Sequence, residues 1–373
     1  GTAMNNLPES DRISGVAHPK DNDLLFGHSI AEAQVLEAFN SSRMQHAWMI
    51  TGPKGIGKAS LAYKIARFLL AQHPSDKGLF ATPSPTTSLR ISQDNPVAIR
   101  IRAGSEPGLY VLKRPIEEKT SKLKTVITVD TVRQLRRFFE MTAGGNGRRV
   151  VIIDCVDDMN ANAANALLKV LEEPPENALL LLVTHQPSLI LPTIKSRCRK
   201  LACHPLSPKD MQAAFQKILP NHNFDPSLVA LANGSVGQAT ELILKNGLET
   251  YAEIVALFHT LPKLDRTKLL KLANSVGNNS EGSFDQLLGL FNIFLARLAR
   301  SSVAAKSEYQ AALGEREVFA KLCPDKTAAN HWANIQLELG EQARQGKTAN
   351  LDPSSLILDM CLKIEESAAQ ASR

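Results

Sequence analysis

The sequence predicts an α/β domain followed by all-α segments. A parallel sheet of the phosphate-loop NTPase kind, with helices on both faces, is expected over residues 1–206, a small helical lid over 207–247 and a C-terminal helical domain over 248–373. Three observations carry this reading. The apolar run "HAWMI" (46–50) leads directly into "GPKGIGKAS" (52–60) and then into Leu61, Ile65, Phe68 and Leu69 at helical spacing. Two further apolar runs, "VVIID" (150–154) and "ALLLLVT" (178–184), flank a helix-like stretch, which is the order of a parallel strand-helix-strand unit. After Pro208 no strand-like run survives, and helical patterns are separated by Asn, Gly and Pro.

Taken along the chain, "GLYVLKR" (108–114) is a further expected strand, and the Pro-, Ser- and Thr-rich stretch 72–107 reads as a long, partly mobile excursion. The helix in "MNANAANALLKVLEEPPE" is expected to start at a capping Asn and to stop at Pro174 and Pro175. Phe284, Leu287, Leu288, Phe291 and Leu295 form an apolar stripe on one C-terminal helix. A chain of 373 residues that is 43% hydrophobic has material for about two or three cores. Its net charge of +6 permits contact with nucleic acid without requiring it. The cysteines at 155, 198, 203, 323 and 361 form no C-x-x-C pair and are read as reduced thiols. No apolar run has the length of a membrane span and the N-terminal stretch lacks a signal-peptide core, so a soluble, cytoplasmic protein is expected.

The glycine-rich stretch is where chemistry is expected. Gly52, Gly55 and Gly57 let backbone N–H groups approach phosphates, and Lys58 reaches the outer phosphates from a helix N-terminus. A working loop, however, follows its lysine with a hydroxyl that holds magnesium, and here that residue is Ala59. Ser60 comes one position late and points elsewhere on the helix. Asp154 ends the second strand where a magnesium-holding acid belongs, but Cys155 stands where many ATPases keep a Glu to activate water. Asp157 and Asp158 read as caps of the next helix. Thr184 ends the third strand, where it reads either as a simple cap of that strand or as a sensor of a γ-phosphate, and His185, alone in a turn, is expected to be exposed. Two parts of the hydrolytic machinery are thus missing on two separate elements, which leaves ATP or ADP occupancy of the loop an open question.

The segment "NALLKVLEEPPENALLLLVTHQPSLILPTIKSRC" (165–198), with its "LLK.LEEPP" helix and "SRC" motif, resembles clamp-loader subunits of the AAA+ superfamily. "GHSIAEAQVLEAFNSSRMQHAWMITGPKGIGKASLAYKIARFLL" (27–70) is similar to the N-terminal portion of the same family. The resemblance implies loading of the sliding β clamp onto primed DNA as part of the DNA polymerase III holoenzyme, in a hetero-pentamer with gamma/tau and delta subunits. Ala59, Cys155 and Gln238, the last in "GSVGQA" (234–239) where the ATPase members carry a lid arginine, all point to the member that does not hydrolyse ATP. By the same resemblance Arg197 is an arginine finger serving the neighbouring subunit's nucleotide, and the C-terminal helices form part of a collar joining the ring. Arg133, Arg136 and Arg137, on one flank of an expected helix, suit contacts to primer-template phosphates. The family's four-cysteine zinc module is absent from 71–110, so no zinc is expected and no metal ligands are assigned. Two other readings stay open: an ATP-hydrolysing, gamma/tau-like subunit, and a DNA-binding protein that keeps a dead nucleotide fold.

Overall fold

The computed structural model describes residues 27–72, 86–115, 126–141, 147–277, 282–303 and 309–371. These form two compact units. The first runs to His222 and includes Gly234–Gln238; the second takes Asn223–Asn233 and the chain from Ala239 on.

The first unit is a five-stranded parallel sheet. Its elements are α1 (Ser29–Asn40), β1 (Ala47–Thr51), α2 (Lys58–Leu70), α3 (Pro96–Ala103), β2 (Leu109–Lys113), α4 (Val129–Glu140), β3 (Arg149–Asp154), α5 (Ala161–Glu172), β4 (Ala178–Thr184), α6 (Pro192–Lys195), β5 (Arg199–Ala202) and α7 (Pro208–Ile218). The strands lie in the order β2-β3-β4-β1-β5. Their register sets Thr51 beside Thr184 and Asp154 beside Val183, so the carboxyl ends of β1, β3 and β4 share one rim. That rim is where open parallel sheets bind ligands.

Both faces are covered, which is why the strands read as unbroken apolar runs. On one face Met49, Val151, Ile153, Leu180 and Leu182 pack with Val132, Leu135 and Phe138 of α4 and Leu167 and Leu171 of α5. On the other, α2 buries Leu61, Ile65 and Phe68 against the central strands. Asn160 caps α5 as expected, its side chain accepting from the Ala163 N–H at 2.9 Å.

Two features were not foreseen. The 72–107 stretch contains α3, begun by Asn95 accepting from the Val97 N–H, started by Pro96 and ended at Gly104 in the left-handed region, φ 70°. Residues 73–85 of that stretch, and the N-terminal residues 1–26, lie outside the described residues. The short β5 adds a fifth strand on the edge beside β1, where Arg199 lies over the Trp48 ring at 4.7 Å.

The second unit is helical: α8 (Ser227–Ala232), the latter part of α9 (Val236–Leu244), α10 (Gly247–His259), α11 (Arg266–Asn274), α12 (Ser283–Arg300), α13 (Glu315–Leu322), α14 (Lys326–Thr348) and α15 (Pro353–Ala371). Tyr251, Phe258, Phe291, Phe294 and Trp332 make its aromatic core. Inside it Arg297 and Glu315 form an ion pair at 2.7 Å, with side chains 8% and 1% exposed. Glu315 also accepts from the Tyr251 hydroxyl and the Ala311 N–H, so the buried carboxylate is fully hydrogen-bonded. Among the described residues no helix is long and apolar enough to cross a membrane.

Candidate functional site

The loop 52–57 turns the chain from β1 into α2, and its shape needs glycine at two places. A Cβ on Gly52 would stand 2.6 Å from the Cys203 carbonyl oxygen. A Cβ on Gly55 would stand 2.2 Å from Ser235 Oγ, and Gly55 has φ 83°. The Gly237 N–H donates to the Gly55 carbonyl at 3.0 Å, so the segment "GSVGQ" rests directly on the loop. At the opposite side His28 Nε2 donates to the Ile56 carbonyl at 2.5 Å. Burial lowers the His28 pKa, and the hydrogen bond to Ile56 opposes that shift in part.

Lys58 is 2% exposed and turned into its own loop. Its ammonium donates to the Gly52 carbonyl at 2.6 Å and also to the Pro53 carbonyl. Burial pulls its pKa down to about 8, opposed by the fields of Cys203, Asp154, Asp157 and Cys155. Two of the three protons that would face phosphate are therefore spent on backbone oxygens.

Asp154 is buried at the end of β3 and Thr184 at the end of β4, so the sheet brings Lys58, Asp154 and Thr184 to one rim. Cys155 is also buried, and burial with the adjoining carboxylates pushes its thiol up, leaving it protonated and unable to act as a base. Asp157 does not cap the following helix. Its carboxylate accepts from the His185 N–H at 3.1 Å and from the Gln186 N–H at 2.9 Å, tying the end of β4 to the turn after β3. His185 in turn is only partly exposed; burial, with Lys58 next, lowers its pKa to about 4 and keeps it neutral. Asp157, His185 and His28 are the residues that sequence reasoning did not assign here. Only their bonds to residues distant in the chain reveal them.

Arg197 makes its polar contacts away from this rim. Following α6, it is exposed, bonded to the Thr193 carbonyl at 3.1 Å and paired with Glu172 at 3.3 Å. Arg133, Arg136 and Arg137 lie on the exposed side of α4, opposite the buried Val132, Leu135 and Phe138. Arg133 is paired with Asp130 at 3.1 Å.

A parallel sheet of this strand order, with a glycine-lysine loop between β1 and α2 and an acid ending β3, has the fold of an AAA+-type phosphate-loop domain. Its hydrolytic set lacks the loop hydroxyl and the second carboxylate. Residues 27–207 match the family described as "DNA polymerase III, delta subunit". DNA polymerase III subunit delta' of Pseudomonas aeruginosa is 38% identical over 212 residues, covering 56% of this chain and 59% of the relative. The Bacillus subtilis subunit delta' is 30% identical over 228 residues, covering 60% and 62%. The subunit gamma of Buchnera aphidicola is 27% identical over 231 residues, covering 60% and 58%. The chain thus spans about three fifths of the length of each of these relatives.

Proposed function

We propose that this chain acts as the delta prime member of a DNA polymerase III clamp loader. It aids ATP-dependent loading of the sliding β clamp without hydrolysing ATP, and offers Arg197 in trans to a neighbouring ATPase subunit. The observation that carries the proposal is a division of parts. The chain's own loop lacks the magnesium hydroxyl and the activating carboxylate, and its lysine is bonded internally. Meanwhile Arg197 is displayed outward on a motif braced by Glu172. A guanidinium supplied from outside neutralises charge on the transferred phosphoryl group, an effect of roughly 10³ to 10⁵ in rate in well-studied GTPases.

On this reading residues 207–247 serve as the lid and 248–373 as the collar of a ring with gamma/tau and delta, in the cytoplasm. The exposed arginines of α4 would meet primer-template phosphates. They form no aromatic platform, which suits contact without sequence preference.

The test is reconstitution with the ATPase and delta partners, comparing ATP hydrolysis stimulated by DNA and clamp for wild type and Arg197→Ala. A loss of at least about a hundredfold, with the assembly intact by gel filtration, supports the finger. Unchanged turnover in an intact complex rejects it.

A further inference from the structure

We propose that Asp154, Cys155 and His185 form a binding site for one borderline-soft divalent cation, zinc foremost, on the rim where β3 and β4 end beside the phosphate loop. The proposal does not depend on the clamp-loader reading, because the chain alone must bind the ion.

Each of the three residues offers one ligand atom, a carboxylate oxygen, a thiol sulfur and a ring nitrogen, and all three atoms lie within 4.8 Å of one another. Ligands at about 2.0 to 2.3 Å from a tetrahedral ion sit roughly 3.3 to 3.8 Å apart, so the set closes by about an ångström of side-chain rotation. Asp154 and Cys155 are buried, which shields the site from competing water. The observation that points to a ligand is on His185: its Nδ1 is enclosed in the protein and has no hydrogen-bond partner among the described residues. A buried imidazole nitrogen ordinarily finds one. Asp157 holds the backbone from which the ring projects, accepting from the His185 N–H at 3.1 Å.

The donor set selects the metal. An ATPase holds magnesium here with hard oxygen ligands, among them the hydroxyl after the loop lysine. This chain has lost that hydroxyl at Ala59 and gained a sulfur at Cys155. Both changes disfavour magnesium, and thiolate, imidazole and carboxylate together suit zinc. On binding, the Cys155 thiol releases its proton to bulk water, and thiolate plus Asp154 balance the two positive charges of the ion. Lys58 opposes a cation nearby, while Asp157 and Asp158 offset it. Three protein ligands leave a fourth position for water. The expectation of no zinc rested on the missing four-cysteine module at 71–110; this site lies elsewhere and uses a single cysteine.

The probe is cobalt(II), titrated at fixed pH into the full chain after chelator treatment. The expected result is a near-ultraviolet thiolate-to-cobalt charge-transfer band that saturates at one ion per chain. Zinc should remove the band and excess magnesium should leave it. Cys155→Ser abolishes the band, His185→Gln weakens binding by at least about tenfold, and Cys198→Ser and Cys203→Ser change nothing. Circular dichroism and urea unfolding without metal check each variant's fold; if Cys155→Ser unfolds, the partly exposed His185→Gln decides. Absence of the band, its persistence in folded Cys155→Ser, or undiminished affinity in His185→Gln overturns the site. Displacement by magnesium overturns its selectivity for soft cations.

Discussion

Arg197 Nη2 lies 3.3 Å from Glu172 Oε1, so the arginine of the "SRC" turn is steered by the acid that ends the "LLKVLE" helix. The two side chains are 38% and 46% exposed, and a pair so open to solvent contributes less than about 1 kcal/mol to folding. Glu172→Gln is therefore expected to leave the urea midpoint nearly unchanged. In the reconstituted complex its ATP turnover should fall between wild type and Arg197→Ala. Turnover equal to wild type would show that the acid does not orient the arginine.

Restoring the missing hydroxyl should not restore an engine. Ala59→Ser supplies a magnesium ligand, but Cys155 still stands where a second carboxylate would orient water, and Lys58 remains bonded to Gly52. Phosphate release by the isolated Ala59→Ser chain is expected to stay at background. Clear turnover would return the ATP-hydrolysing reading to the front.

Gly55→Ala should destabilise the chain by about 1 to 3 kcal/mol, because a methyl meets Ser235 Oγ and the backbone must keep a positive φ. Removing the oxygen with Ser235→Ala should relieve part of that loss. Denaturation of the two single variants and the double variant measures the coupling, and strict additivity would mean that the two residues do not touch.

Lys58 gives a pH signature. Its pKa is about 8 in the folded chain against 10.5 for a free lysine, so between those values the unfolded chain binds more protons. Stability then rises with pH across that window. The penalty for burying the ammonium is complete below about pH 8 and fades as pH approaches about 10.5. The wild type should gain on Lys58→Met as pH climbs from 8 to 10, by an amount on the order of a few kcal/mol. Parallel stability curves for the two proteins would contradict the buried, charged lysine.

In the helical unit, Glu315→Gln leaves the Arg297 guanidinium buried beside a neutral partner. The expected loss is about 3 to 5 kcal/mol in urea unfolding, since breaking one side of a buried pair strands the other charge. A loss below about 1 kcal/mol would mean that water reaches the pair.

Most of the sheet could be read from the sequence because its central strands are buried on both faces. "ALLLLVT" is β4 residue for residue, and "VVIID" differs from β3 by one residue. The edge strand β5, "RKLA", could not be read that way. Only Leu201 is buried in it, and an edge carries charge on its open side. Helix α3 had its signals, Asn95-Pro96 at one end and Gly104 at the other, but the surrounding Pro- and Ser-rich composition masked them. The glycines and Lys58 were legible because their spacing is local. The links from Asp157 to His185 and from His28 to Ile56 each span 28 residues and exist only once the rim has assembled.

Lys58 makes the loop its own occupant. A phosphate arriving at Gly52 to Gly57 does not fill a vacant cradle but competes with two carbonyl oxygens for the same ammonium. Any nucleotide the loop were to take would bind with its intrinsic affinity scaled by the fraction of loops in which the lysine has let go. Affinity here is therefore a question of population: a ligand, or a substitution at Gly52 or Pro53, acts by changing how often the lysine is free.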